Sequence, residues 1–149
     1  MHGVVLPDPG GRLLRPAVLW ADTRSSGMLY HYRKLDDGLL QALANPLAAG
    51  MTGPSLLWLR DHEPAEYRSA RWALQPKDWL RLQLTGEALS EPSDASATLL
   101  YDLEADDWSG RRSRLWGCGR NSFPRSSLRR RPRERWAGRR PGLWGFPRV

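Results

Sequence analysis

The chain has 149 residues, a formal net charge of +7, 26% charged and 40% hydrophobic side chains. That length suits one domain with a modest core, and no apolar run approaches the ~18 residues a membrane-spanning helix needs. One cysteine, Cys118, excludes an internal disulfide framework and leaves the compartment open.

The charge is unevenly placed. Residues 1–109 hold ten basic and fifteen acidic side chains, whereas residues 110–149 hold thirteen arginines against the single acid Glu134. So abrupt a change marks a boundary at 109/110, between a mildly acidic globular portion and an Arg/Trp/Pro-rich tail. The opening Met1-His2-Gly3-Val4-Val5-Leu6-Pro7 has neither the basic head nor the long apolar run of an export signal, so a cytoplasmic location is expected.

Residues 2–6 are apolar and β-branched enough for a strand. The Pro7-Asp8-Pro9-Gly10-Gly11 turn returns the chain into residues 12–14, and residues 16–20 supply a third, more buried strand. A meander of this size needs further strands to cover its faces and edges. Asp22 or Thr23 can cap the helix after it. The loose apolar stripe of that helix runs from Met28 through Leu35, Leu39, Leu40 and Leu43, is interrupted by Asp36-Asp37-Gly38, and ends at Asn45-Pro46.

Four short helices come next. Pro54 and Pro76 are placed where a first helical turn tolerates a missing N–H. Leu56, Leu57 and Leu59 give the first helix an apolar face; Trp79, Leu80, Leu82 and Leu84 do so for the helix that Gly86 stops. Between them lie a short polar helix over residues 65–71 and a brief strand at residues 72–74. Ser93 or Asp94 can cap the last helix, with small Ala95 and Ala97 permitting close packing.

Several pairs resemble reactive groups and read better as structure. Asp61, His62 and Glu63 are adjacent on a helix and do not face one another, so they make no metal site. His31, between Tyr30 and Tyr32, reads as a surface position. Lys77-Asp78 places an acid in a helical first turn, where it meets the dipole favourably. Asp94 has the chemistry of a general base and stands equally where it can cap a helix turn.

The words Met1-His2-Gly3, Arg15-Pro16-Ala17-Val18-Leu19-Trp20-Ala21-Asp22-Thr23-Arg24, Pro76-Lys77-Asp78, Ser93-Asp94-Ala95-Ser96-Ala97-Thr98 and Asp107-Trp108-Ser109 carry more than periodicity. Taken in order they resemble the FGGY family of carbohydrate kinases, most closely its xylulokinase branch, over residues 1–109. Three positions depart from the family's wording: Ala21 for Asn, Ser55 for Lys and Ala97 for Gly. Were that Gly to need positive φ, alanine would cost about 1 kcal/mol there.

The resemblance implies an α/β fold, part of the first of two ribonuclease-H-like, actin-like ATPase domains, with an incomplete sheet, short helices and a disordered basic tail. It implies phosphoryl transfer from ATP, with Mg²⁺, to D-xylulose, giving D-xylulose 5-phosphate. It also implies that Met1 and His2 touch the ketose. A positioned phosphate grip and a base on the acceptor hydroxyl are needed as well. The family keeps these in an Asp-Gly-Thr word before this region and a Gly-Gly-Asp-Asn word after it. No residue of the chain is therefore expected to serve in catalysis, cofactor binding or metal binding, and the fragment is expected to be inactive alone.

Beyond Ser109 the resemblance stops, and residues favoured by GC-rich codons take over. Joining the last base of each codon to the first two of the next, from Trp116 to Pro124, permits Gly-Leu-Arg-Pro-Glu-Leu-Leu-Pro. This resembles the family's segment after Trp-Ser, so residues 110–149 are expected to be out-of-frame and disordered, with too few aliphatics to offset ordering. Two alternatives stay open. Arg129-Arg130-Arg131 and Arg139-Arg140, interleaved with Trp116, Trp136 and Trp144, suit nucleic-acid or adventitious polyanion binding. A non-catalytic protein that docks on a full-length kinase is the other.

Overall fold

The computed structural model describes residues 2–109 and the strand Arg125–Ser126, a paired strand inside the stretch 110–149 expected to be disordered; the rest of that stretch lies outside the described residues. The elements are β1 (Gly3–Val4), β2 (Val18–Leu19), α1 (Leu29–Arg33), α2 (Asp37–Gln41), α3 (Thr52–His62), α4 (Pro64–Ser69), α5 (Pro76–Thr85), β3 (Leu89–Ser90), α6 (Pro92–Ser96), β4 (Tyr101–Asp102), β5 (Asp107–Trp108) and β6 (Arg125–Ser126). Strands pair as three two-stranded sheets: β1–β2 and β4–β5 antiparallel, β3–β6 parallel.

The first segment is the hub of the chain. Gly3 pairs with Leu19 and Val4 with Val18, while Val5 bridges Leu74 and Pro7 bridges Leu13. The expected meander is thus reduced: residues 12–14 and 72–74 each touch the first strand through a single bridge. The turn between residues 7 and 13 is held by Asp8, whose Oδ1 accepts from the amides of Gly10 and Arg12, the side-chain-to-backbone bonding that makes Asp a turn former. Side chains of Val4, Leu6 and Val18 enter the main core with Tyr32, Leu43, Leu56, Leu57, Leu59, Leu99 and Leu100. Val5, on the opposite face, joins Leu74 and Leu82 in a smaller cluster, as period-two alternation requires.

Helix boundaries differ from expectation in instructive ways. The single helix expected to end at Asn45 is a 3-10 turn at Ser26–Met28 followed by α1 and α2. Asp36 breaks it: its carboxylate accepts from the Leu39 amide at 2.9 Å and starts α2 afresh. Neither Asp22 nor Thr23 caps the 3-10 turn, whose N-cap is Ser25; Asp22 bonds the Arg24 amide instead. Helix α3 begins two residues before Pro54, with the Thr52 hydroxyl donating to the Gly3 carbonyl at 3.1 Å.

The polar helix begins at Pro64 rather than residue 65 and ends at Ser69. Glu91, not Ser93 or Asp94, caps α6: its carboxylate accepts from the Ser93 and Asp94 amides at 3.0 Å, with Pro92 as the first helical residue. Pro76 and Gly86 bracket α5 as expected, Gly86 at φ +73. The face of α5 that packs inward is Asp78 and Leu82, however; Leu80 and Leu84 are exposed. Ala97 sits at φ −75, so no left-handed strain attaches to it; the left-handed residue nearby is Leu99, at φ +60.

Candidate functional site

Met1, one of the two expected sugar contacts, lies outside the described residues. His2 is half-buried immediately before β1, and its Nδ1 is enclosed without a hydrogen-bond partner. The backbone beside it is crowded. A Cβ on Gly3 would lie 2.6 Å from the Val18 carbonyl oxygen, so only glycine lets β1 and β2 approach this closely. From the other side come Thr52, through its bond to Gly3, and the Gly53 amide, which donates to the Thr98 carbonyl at 2.8 Å. The start of α3 thereby ties the start of β1 to the segment after α6.

The second constellation gathers two readings that the sequence kept apart. Lys77 Nζ lies 2.7 Å from Asp78 Oδ1, 3.2 Å from Asp94 Oδ2 and 3.7 Å from Glu91 Oε1. Asp78 is buried and its other oxygen accepts from the Ser90 hydroxyl at 2.9 Å. Burial pushes Glu91 up, but the Ser93 hydroxyl and amide together with Lys77 outweigh it, and the carboxyl titrates below its ordinary value. The Gln75 amide donates to the Asp94 carbonyl at 2.7 Å, leaving Oε1 buried and unpartnered. Lys77, Asp78, Glu91 and Asp94 together clamp α5 to α6.

A third cluster gives a structural reason for Arg15 and Arg24. Arg15 Nε lies 2.5 Å from Glu63 Oε2 and its Nη2 donates to Oε1 at 3.3 Å, a two-pronged pair. Arg24 reaches the same carboxylate at 3.8 Å and pairs with Asp22. The Arg24 hydrogen bonds hold the Asp22 carboxyl below its ordinary range and raise the guanidinium. Arg24 also lies over Trp58, whose ring stacks on exposed His62 at 4.4 Å. His62 Nδ1 is 2.9 Å from the Trp58 carbonyl, a helix-surface contact and not a metal ligand. His31 is exposed, as expected.

Sequence reasoning missed Gln75 and the capping role of Glu91. It noted Ser55 only as a departure from Lys; the residue is buried in the first turn of α3, with an unpartnered hydroxyl. Among the described residues no group of three or more His, Cys, Asp or Glu side chains could hold a metal, and the carboxylates of Asp78, Glu91 and Asp94 surround Lys77 instead. These residues therefore do not fit Mg²⁺.

Residues 1–129 match the model of the FGGY family of carbohydrate kinases, N-terminal domain. The chain belongs to that family. It is 39% identical over 111 residues to the xylulose kinase of Staphylococcus xylosus, covering 73% of this chain and 23% of that protein. With the xylulose kinase of Escherichia coli (strain K12) it is 41% identical over 111 residues, 73% of this chain and 22% of that one. The crystal structure of a xyloylose kinase from Brucella ovis superposes with a TM-score of 0.79 at 36% identity, over 85% of this chain and 26% of that chain. The chain thus spans about a quarter of the length of these relatives.

Proposed function

We propose that this chain is the sugar-side part of the first domain of a D-xylulose kinase, in which ATP phosphorylates D-xylulose to D-xylulose 5-phosphate. The observation that carries the reading is His2: an imidazole with an unpartnered, enclosed Nδ1 at the head of β1, in the word Met1-His2-Gly3 of the family. An imidazole both donates and accepts, which suits a hydroxyl-rich ligand. Similarity to curated xylulose kinases supports the choice of ketose.

In this reading Lys77, Asp78 and Asp94 take no part in proton transfer. Their charges are already engaged with one another. The grip on ATP and Mg²⁺ and the base that deprotonates the acceptor hydroxyl belong to segments other than these 149 residues, and residues 110–149 are an out-of-frame continuation. The similarity covering only a quarter of the relatives' length supports the first statement; the composition change at 109/110 supports the second, against a family match that runs on to residue 129. No membrane contact is proposed; among the described residues no helix is long and apolar enough to cross one. The purified chain, supplied with ATP, Mg²⁺ and D-xylulose in a coupled ADP-release assay, is expected to show no turnover. Sugar-dependent ADP release would refute the assignment of the missing functions to other segments.

A further inference from the structure

Three buried side-chain atoms among the described residues have no hydrogen-bond partner: His2 Nδ1, Ser55 Oγ and Gln75 Oε1. Ser55 is 1% exposed and Gln75 3%, so bulk water does not satisfy them, and unpaired buried polar atoms are rare in folded proteins. A chain of bridges and hydrogen bonds links the segments that carry them. The antiparallel Val5–Leu74 bridge sets Gln75 opposite Val4, and Val4 shares a pleat face with His2. Thr52 bonds Gly3, and Ser55 lies three residues on along the same helix face. Gln75 bonds Asp94, at the start of the helix whose exit carries Thr98, the acceptor of Gly53. Helix α3 and the residue before α5 are thus tied to the head of β1, and α6 is tied to both of them.

We propose that these atoms form a single internal polar site that holds one ordered water, and that this water positions His2. One arrangement satisfies all three atoms at once. Gln75 Oε1 only accepts, the Ser55 hydroxyl donates one hydrogen and can also accept, and a water gives two and accepts up to two. The water donates to Gln75 Oε1 and to His2 Nδ1 and accepts from Ser55. His2 Nδ1 is then the acceptor nitrogen, which places the neutral imidazole's proton on Nε2 and makes that nitrogen a fixed N–H donor. The departure at position 55 fits the same arrangement. A lysine ammonium there would bring its own donors to Gln75 Oε1 and His2 Nδ1; Ser55 and a water supply them instead.

The test is made on the whole chain without sugar or ATP, so its outcome is independent of the kinase reading that gives His2 its use. In ¹⁵N spectra at a pH where His2 is neutral, the imidazole is expected to show the Nε2–H tautomer. Ser55→Ala is expected to lower Tm and to convert this to a mixed-tautomer pattern, because it removes one arm of a satisfied network. Ser55→Lys and Ser55→Thr are expected to keep the Nε2–H pattern. A rise in Tm for Ser55→Ala would mean that an unpaired hydroxyl had simply been removed, and that result overturns the proposal. So does a His2 spectrum that Ser55→Ala leaves unchanged. Should Ser55→Ala not fold, loss of the tautomer pattern in Ser55→Thr overturns it and retention supports it.

Discussion

The head of β1 and the Lys77 clamp are built from opposite materials. Around Lys77 every charge has a partner: ammonium against three carboxylates, Asp78 against Ser90, Glu91 against two amides and a hydroxyl. At the head of β1 the His2 Nδ1 is enclosed and unpaired, as are Ser55 Oγ in α3 and Gln75 Oε1 just before α5. On paper the clamp had the stronger claim to chemistry, with a lysine, two aspartates and a glutamate. Its completeness argues the other way: groups that have spent their hydrogen-bonding capacity on each other hold a fold together, whereas groups with capacity left over await something.

Breaking the clamp should therefore cost stability in steps that track burial. Asp78→Ala has the largest expected effect, about 2–3 kcal/mol in urea denaturation, because it strands the buried Ser90 hydroxyl and removes the nearest of the three carboxylates around Lys77. A loss below about 0.5 kcal/mol would show that Asp78 is not the keystone. Next comes Ala97→Gly. At φ −75 the alanine is unstrained, so glycine is expected to destabilise by about 0.5–1 kcal/mol; a gain would restore the strain expected from the family's wording.

The smallest effect is a pH dependence. Glu91 has its folded carboxyl below the ordinary 4.5, so its contribution is complete above that value and is lost as pH falls through the lower folded value. Glu91→Gln should remove that part of the acid loss measured by thermal melts between pH 5 and the acid limit. An unaltered acid limb would mean that the cap is not charge-assisted.

How much could be read from residues alone depended on whether the cause was local. The bounds of α5 were legible because Pro76 and Gly86 act through their own backbone angles. The start of α3 was not, because the bond from Thr52 to Gly3 spans 49 residues and lets the helix begin ahead of Pro54. Leu80 and Leu84 fit the helical period and still face outward; periodicity locates a face without saying which neighbour covers it. Leu99 at φ +60 leaves no mark in its residue type. At the candidate site, His2 was legible through its resemblance alone, and Gln75 not at all, since its role arises from the Val5–Leu74 bridge.

That this chain is one section of a sugar kinase is tested most directly by the DNA on either side of its reading frame. An Asp-Gly-Thr word encoded upstream, and a Gly-Gly-Asp-Asn word downstream in the frame reached by one base inserted or deleted near the Ser109 codon, are predicted. Flanking DNA with neither word in any frame would contradict it.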